Sequence, residues 1–351
     1  MKKLKIGLVG CGNIAKVAHM PYLTTYEKYD LVAVCDICEE RAKAFAETYK
    51  VPHWFTSIED MLASVELDAV DVCTWNAAHA PCVIAAAEAG KDILCEKPMA
   101  ESLESAKKMM EAVNKAGVKF TLAVPNRWAP QNVSVKELID NGALGEIYMA
   151  KGHNIRRRGT PEGWFTDKRY AGHGCIVDIG VHRIDSIWFL MGCPKPISVS
   201  AKVFTGIGEF QTKGVERYPG RIIDDLVFDI DDAGAGCIKF ENGSILIFEV
   251  SDAINGPSSS KVQLYGTKAG VVIDGDVTLY GERDGFLTDE KVQTRKGTSY
   301  EFELKAFADF VLDGAENKYP MDLAIQMQAM LEAIYVSSDT GNEVKIDDLL
   351  K

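Results

Sequence analysis

The segment Gly10-Cys11-Gly12-Asn13-Ile14-Ala15 constrains the fold most, because of what flanks it. Before it, Lys5-Ile6-Gly7-Leu8-Val9 reads as a buried strand; after it a helical pattern opens. The first glycine permits a tight strand-to-helix turn, and the second lets backbone approach a pyrophosphate. Small Ala15 keeps helix and strand close, and the amides from Asn13 and Ile14 onward form a helix N-terminus that holds anions. Asp36 closes the second strand candidate, where a carboxylate accepts both hydroxyls of an adenosine ribose and repels a 2′-phosphate. The segment therefore predicts a dinucleotide turn, with NAD favoured over NADP.

The surrounding pattern supports that reading. Strands are expected at Lys5–Val9, Leu31–Cys35, Ala69–Thr74, Asp92–Cys95 and Lys119–Ala123, with helices between them. Thr56-Ser57-Ile58-Glu59 resembles a capping box, and Gly90 and Gly117 stand where helices 80–89 and 102–116 should stop. Strands alternating with helices imply βαβ units and a doubly wound parallel sheet. After Val124 the texture changes. Helices are expected at 132–141 and 175–191, then short strands at 197–204, 226–231, 235–240, 244–250, 261–265, 271–273 and 277–280, with an Asn242-Gly243 hairpin turn. Helices 300–312 and 321–339 follow. The expected fold class is α/β. Residues 1–123 form an N-terminal Rossmann domain, and 124–351 an α+β domain with a large, mostly antiparallel sheet that carries substrate and oligomer contacts.

Composition removes several function classes. Lys plus Arg number 39 against 51 Asp plus Glu, a formal charge of −12. A nucleic-acid binder needs a concentrated basic face, and this balance argues against one. No apolar run approaches the roughly 18–20 residues of a membrane-spanning helix. Nine scattered cysteines and a start that runs directly into a strand suggest a reduced, cytoplasmic protein. Cys35-Asp36-Ile37-Cys38 matches Cys-x-x-Cys formally, but the ribose acid lies inside it and no second pair is suitably spaced, so core packing is the better account.

Two further motifs suggest chemistry. Glu96-Lys97-Pro98 follows the fifth strand, and ligands of open parallel sheets bind beyond the strand carboxyl ends. A lysine presented there can donate to a developing alkoxide. In Gly172-His173-Gly174-Cys175-Ile176-Val177-Asp178-Ile179-Gly180-Val181-His182, Asp178 and His182 are four apart and share a helix face. A carboxylate beside an imidazole can orient it for acid or base work near neutral pH. An Asp/His pair can also bind a divalent ion, but no further ligands converge, so no metal is expected. His19 and His53 read as structural.

These motifs, in this order, resemble the Gfo/Idh/MocA oxidoreductases, which include glucose–fructose oxidoreductase and inositol dehydrogenases. The resemblance extends to Thr74-Trp75-Asn76-Ala77-Ala78-His79 and Asn126-Arg127-Trp128. It implies that Lys97, Asp178 and His182 form the catalytic set and that Glu96 contacts the nicotinamide-side ribose. It also implies that Thr74, Asn76, His79 and Arg127 lie along the cofactor, with Trp75 covering one side. Most relatives have glycine at the position of His173, so this imidazole becomes a candidate specificity element.

Arg156-Arg157-Arg158 and Glu162-Gly163-Trp164-Phe165 precede the glycine-rich helix, and the resemblance puts them over the substrate pocket. Guanidinium groups donate to hydroxyls and an indole stacks on a sugar face, which makes Arg157 and Trp164 candidates for binding a polyhydroxylated ligand. The expected activity is NAD-dependent hydride transfer at a secondary alcohol of a sugar, glycoside or polyol, in a homodimer or homotetramer. The alternatives are an enzyme that recycles tightly bound NAD, of glucose–fructose or oxidise-then-eliminate type, and a non-catalytic NAD-dependent sensor.

Overall fold

A computed structural model describes residues 2–351. They divide into two compact units. The first comprises 1–124, 169–172 and 300–328; the second comprises 125–168, 173–299 and 329–351.

The first unit is built on six strands: β1 (Leu4–Val9), β2 (Tyr29–Cys35), β3 (His53–Phe55), β4 (Ala69–Val72), β5 (Asp92–Glu96) and β6 (Phe120–Ala123). They run in the order β3-β2-β1-β4-β5-β6, every neighbouring pair parallel. The order reverses beside β1, and a ligand crevice opens at such a point. Helices 39–49, 58–64, 76–88 and 103–116 connect the strands. Gly90 and Gly117 adopt the positive φ expected of helix stops. The 58–64 helix is capped one residue later than the sequence suggests: the Ser57 hydroxyl, not that of Thr56, accepts the Asp60 amide.

The domain boundary differs from the expectation. Residues 300–328 pack with the first unit, although the sequence assigns everything after 124 to the second. Leu304, Phe307 and Ala308 of the helix Ser299–Asp313 lie in one core cluster with Leu4, Ile6 and Leu8 of β1. Burying a side chain such as Phe307 contributes about 2–3 kcal/mol, and nothing local in the sequence says which sheet receives it.

The second unit carries nine strands: β7 (Ile147–Ile155), β8 (Pro196–Phe204), β9 (Ala233–Phe240), β10 (Ile245–Ser251), β11 (Ser259–Gly266), β12 (Gly270–Ile273), β13 (Val277–Arg283), β14 (Phe286–Lys291) and β15 (Val344–Lys345). Their order is β14-β13-β12-β11-β7-β10-β9-β8-β15, antiparallel except between β7 and β10. The strand expected at 226–231 is absent, and residues 205–232 run irregularly. Two carboxylates organise the end of this stretch. Asp232 Oδ2 accepts the amides of Gly206, Ile207 and Gly208 at 2.8, 2.7 and 2.7 Å, while Asp231 serves a helix N-terminus described below. Among the described residues no helix is long and apolar enough to cross a membrane.

Candidate active site

In the first unit the dinucleotide turn has the form its glycines predict. Gly10 has φ +96°, and a Cβ there would lie 2.4 Å from the Cys73 carbonyl oxygen, so only glycine is accommodated. A Cβ on Gly12 meets nothing within 4 Å, leaving the open approach a pyrophosphate needs. Asn13 is exposed and Ile14 half-buried just beyond it. The first turn of the following helix, Ala15–His19, is π-helical. Asp36 is only 6% exposed, at the end of β2. Its Oδ2 accepts the Cys11 amide at 3.0 Å and its Oδ1 the Cys38 amide at 2.9 Å, fixing the carboxylate against the turn. Arg41 Nη1 stands 3.3 Å from the same Oδ2. This arginine lies outside the motifs read from the sequence; its place in the first turn of the 39–49 helix, just after the acid at the end of β2, is the signal. These features fit a nicotinamide dinucleotide. Cys35, by contrast, is buried and its thiol is pushed up to about 12 by burial, which suits packing rather than redox work.

The segments after β4 and β5 are joined through His79. Burial lowers its pKa and keeps it neutral. Its Nδ1 lies 2.8 Å from the Pro98 carbonyl and its Nε2 3.2 Å from that of Thr74, so the neutral ring's one N–H donates to a backbone carbonyl. Thr74 and Trp75 stay half-buried, Trp75 meeting Tyr170 edge-on at 5.5 Å. Asn76 is buried, and its amide donates to the Ala171 carbonyl at 2.8 Å. That bond ties residues 169–172 to the unit. From Ile93 through Ala100 every residue is buried except Lys97, which is partly exposed. Its amide donates to Glu96 Oε2 at 3.1 Å.

Behind Glu96 lies a cluster the sequence did not reveal. His19 Nε2 is 3.0 Å from Glu96 Oε1, and its Nδ1 is 2.7 Å from Asp71 Oδ2. Cys73 Sγ is 3.5 Å from Asp71 Oδ1. His19, Asp71 and Cys73 are residue types found in metal sites. Here each ring nitrogen of His19 already faces a carboxylate oxygen at hydrogen-bond distance, the geometry of shared protons. Glu303, from the 299–313 helix, is also buried nearby. Burial, then the charge of Glu96, raise its pKa well above the ordinary carboxyl value, so it is held protonated.

A carboxyl with a raised folded-state pKa must take up a proton on folding at any pH above its unfolded value, and that cost grows as pH rises. Glu303→Gln removes the cost. Its Tm should match or exceed that of the native protein, with a gap that widens as pH is raised above about 4.5. Thermal unfolding across a pH series checks this, and a gap that shrinks with pH would refute it.

In the second unit, the glycine-rich helix begins where Asp231 caps it. Asp231 Oδ1 accepts the Gly174 amide at 2.7 Å and the Tyr335 hydroxyl at 2.9 Å, and its Oδ2 accepts the Ile176 amide at 3.1 Å. A carboxylate there also complements the helix dipole. A Cβ on Gly174 would lie 2.0 Å from the Asp231 carbonyl oxygen, so that glycine is required. His173 stacks on Tyr335, with ring centroids 3.6 Å apart and planes 14° from parallel. Burial lowers its pKa and keeps the ring neutral. One face of this imidazole is thus committed to packing, which narrows its expected role as a specificity element to the exposed edge.

Asp178 and His182 do not lie on one regular α-helix, as their spacing suggested. Residues Ile176–Gly180 form a π-turn, and the α-helix proper is Val181–Leu190. Such turns shift the phase of a helix face and recur at functional sites. Through 174–190 every residue is buried except Asp178, His182 and Arg183. The two candidates are therefore, with Arg183, the accessible polar groups of this segment, although the geometry that presents them differs from a regular helix.

Arg127 lies where the resemblance did not place it. It is 1% exposed, with Nε 2.9 Å and Nη2 2.7 Å from the two oxygens of Asp185, and its guanidinium lies over the rings of Trp188 and Phe189. This is a buried ion pair of the second unit's interior. The arginine run is also divided. Arg156 approaches Asp252 at 3.3 Å and Arg158 binds the Ile254 carbonyl and Asn255, whereas Arg157 is exposed. Trp164 is half-buried and stacked on Phe165 at 3.9 Å.

A parallel sheet of this order, a glycine turn with a fixed carboxylate at the end of β2, and a lysine emerging from β5 are the features expected of a dinucleotide-dependent oxidoreductase. Residues 4–124 match the oxidoreductase family with an NAD-binding Rossmann fold, and residues 133–272 match the GFO/IDH/MocA C-terminal domain. The chain belongs to the Gfo/Idh/MocA family. It is 31% identical over 98% of its length to D-glucoside 3-dehydrogenase of Escherichia coli, covering 97% of that protein. Levoglucosan dehydrogenase of Pseudarthrobacter phenanthrenivorans is 28% identical over 78% of the chain and 74% of its own. In fold, the chain superposes on a levoglucosan dehydrogenase in complex with NADH and levoglucosan with a TM-score of 0.86 at 22% identity, covering 98% of this chain and 100% of that one.

Proposed function

We propose that the protein oxidises a secondary alcohol of a sugar, glycoside or polyol, with NAD as hydride acceptor. The observation that carries this reading is Lys97: the single accessible residue in a buried stretch, directly after β5 and next to Pro98, whose carbonyl His79 joins to the segment after β4. Relatives named for glucosides and levoglucosan support a pyranose-type substrate. The nicotinamide supplies the redox chemistry. The chain's own residues supply position and charge. His182 takes the hydroxyl proton as general base, Asp178 orients its ring or a neighbouring hydroxyl, and Lys97 stabilises the developing alkoxide. Gly10, Gly12, Asn13 and Ile14 hold the pyrophosphate, Asp36 the adenosine ribose, Glu96 the other ribose, and Thr74, Trp75 and His79 the length between. Arg157, Trp164 and the exposed edge of His173 contact the sugar.

The test is reduction of NAD+ and NADP+ across inositols, hexoses, deoxysugars and glycosides. Turnover is expected with at least one of them and with a higher kcat/KM for NAD+. A freely exchanging cofactor separates this reading from internal recycling, which would leave stoichiometric cofactor in the purified protein.

Asp36 governs the choice of cofactor. Losing charge-assisted hydrogen bonds of about 1.5–3 kcal/mol corresponds to roughly 10–100-fold in affinity. Asp36→Ser should therefore weaken NADH by that factor. It should also improve the NADPH-to-NADH ratio, because Arg41 loses its carboxylate partner. Fluorescence titration with both cofactors reads this directly, and an unchanged ratio would remove Asp36 from the selection.

A further inference from the structure

Four acid or imidazole side chains are buried beneath the Glu96-Lys97 turn, and the proposed chemistry uses only Glu96. His19 is fully buried in the turn of helix that follows the dinucleotide loop. It spans the gap between the ends of β4 and β5, with Nδ1 on Asp71 and Nε2 on Glu96. The groups facing it are Asp71 and Cys73 at the end of β4, Glu96 at the end of β5, Tyr29 on β2 and protonated Glu303. Burial works against a charge on this ring, yet the neighbouring Asp71 carboxylate outweighs it and holds the imidazole protonated well above its ordinary range. With both nitrogens protonated, each donates to one carboxylate. The Glu96 oxygen left over, Oε2, is the one that receives the Lys97 amide.

A carboxylate with one oxygen bound by a rigid cation and the other bound to the next residue's amide cannot rotate independently of either. We propose that His19 is a positioning residue for Lys97, acting through Glu96: it fixes the carboxylate that in turn fixes the backbone from which the Lys97 side chain emerges. The chain His19–Glu96–Lys97 thus connects the first turn of the dinucleotide-loop helix to the turn after β5. This inference rests on the reading of Lys97 as a catalytic group.

Two amide variants separate positioning from packing. In His19→Gln the longer side chain places its amide nitrogen near the site of Nε2 and keeps the donor to Glu96. In His19→Asn the shorter one places its nitrogen near Nδ1 and keeps only the donor to Asp71. The proposal expects kcat of the folded His19→Gln protein to stay within about fivefold of native. His19→Asn should lose about tenfold or more in kcat, with a smaller change in the sugar KM. Equal kcat in the two variants, or values that follow Tm alone, would overturn it.

Should His19→Asn fail to fold, the native protein answers. In protein carrying 15N-labelled histidine, the Nε2 resonance of His19, assigned by its loss in His19→Gln, should shift when NADH is added. A resonance that does not move would overturn the coupling. Lys97→Ala distinguishes the two levels. If that variant turns over normally, the reading of the reaction fails. If it is inactive while both His19 variants turn over at the native rate, only the positioning role fails.

Discussion

Lys97→Ala should lower kcat by about 10²–10³-fold or more while NADH still binds, because the side chain removed is one that acts on charge developing in the transition state. The dinucleotide turn, Asp36 and the Thr74–His79 segment are untouched by the substitution. The Glu96 carboxylate keeps its partner, since the Lys97 amide that it accepts belongs to the backbone. An interaction made only in the transition state is lost from kcat and kcat/KM together, with little change in ground-state binding. Lysine is suited to this position as a compact cation with three rotatable donors on a flexible stem. Steady-state kinetics with a sugar substrate and fluorescence titration with NADH make the measurement. Near-native turnover would show that Lys97 is not catalytic, and loss of NADH binding would show that it serves the cofactor instead.

His182→Asn should cost about 10²–10⁴-fold in kcat, the range associated with losing a positioned general base. The loss should fall on kcat with little change in NADH affinity, since the ring that is removed serves the proton and not the cofactor. Asp178→Asn should cost less, because an amide can still accept a hydrogen bond while losing the charge that favours the imidazolium formed during turnover. The π-turn at Ile176–Gly180 makes this pair sensitive to helix phase. Near-native kcat in folded His182→Asn would assign the base elsewhere.

The first unit was legible because its signals are local. A glycine turn, an acid at a strand end and helix-stopping glycines each act within a few residues of themselves, and all lie where they were expected. Features that depend on distant partners were not legible. Arg127 reads as a cofactor group until Asp185 is placed against it, and that partner lies on another helix. His19 reads as a helix residue among apolar neighbours, and its two carboxylates come from β4 and β5. The same reason hid the membership of residues 300–328, whose apolar face answers β1 at the other end of the chain.

Strand β7 lacks clean alternation because it is central. It pairs with β10 and β11, and polar His153 and Asn154 stand among its residues. The expected strand at 226–231 fails for the opposite reason. Its apolar residues alternate, but Asp231 and Asp232 at its end bind the amides of two other segments. The Asp178/His182 spacing implies one face of a regular α-helix, and the π-turn at Ile176–Gly180 that breaks that regularity has no signature in residue type.

Isotope transfer tests the central claim most directly. A sugar or glycoside substrate deuterated at its ring carbons is incubated with NAD+ and the protein, and the reduced cofactor is weighed by mass spectrometry. One deuterium carried on the reduced nicotinamide, with a sugar product two hydrogens lighter, is the result predicted for hydride transfer from a carbinol carbon. Reduced cofactor without deuterium, or no reduction by any sugar, glycoside or polyol in a folded protein that binds NADH, would contradict it.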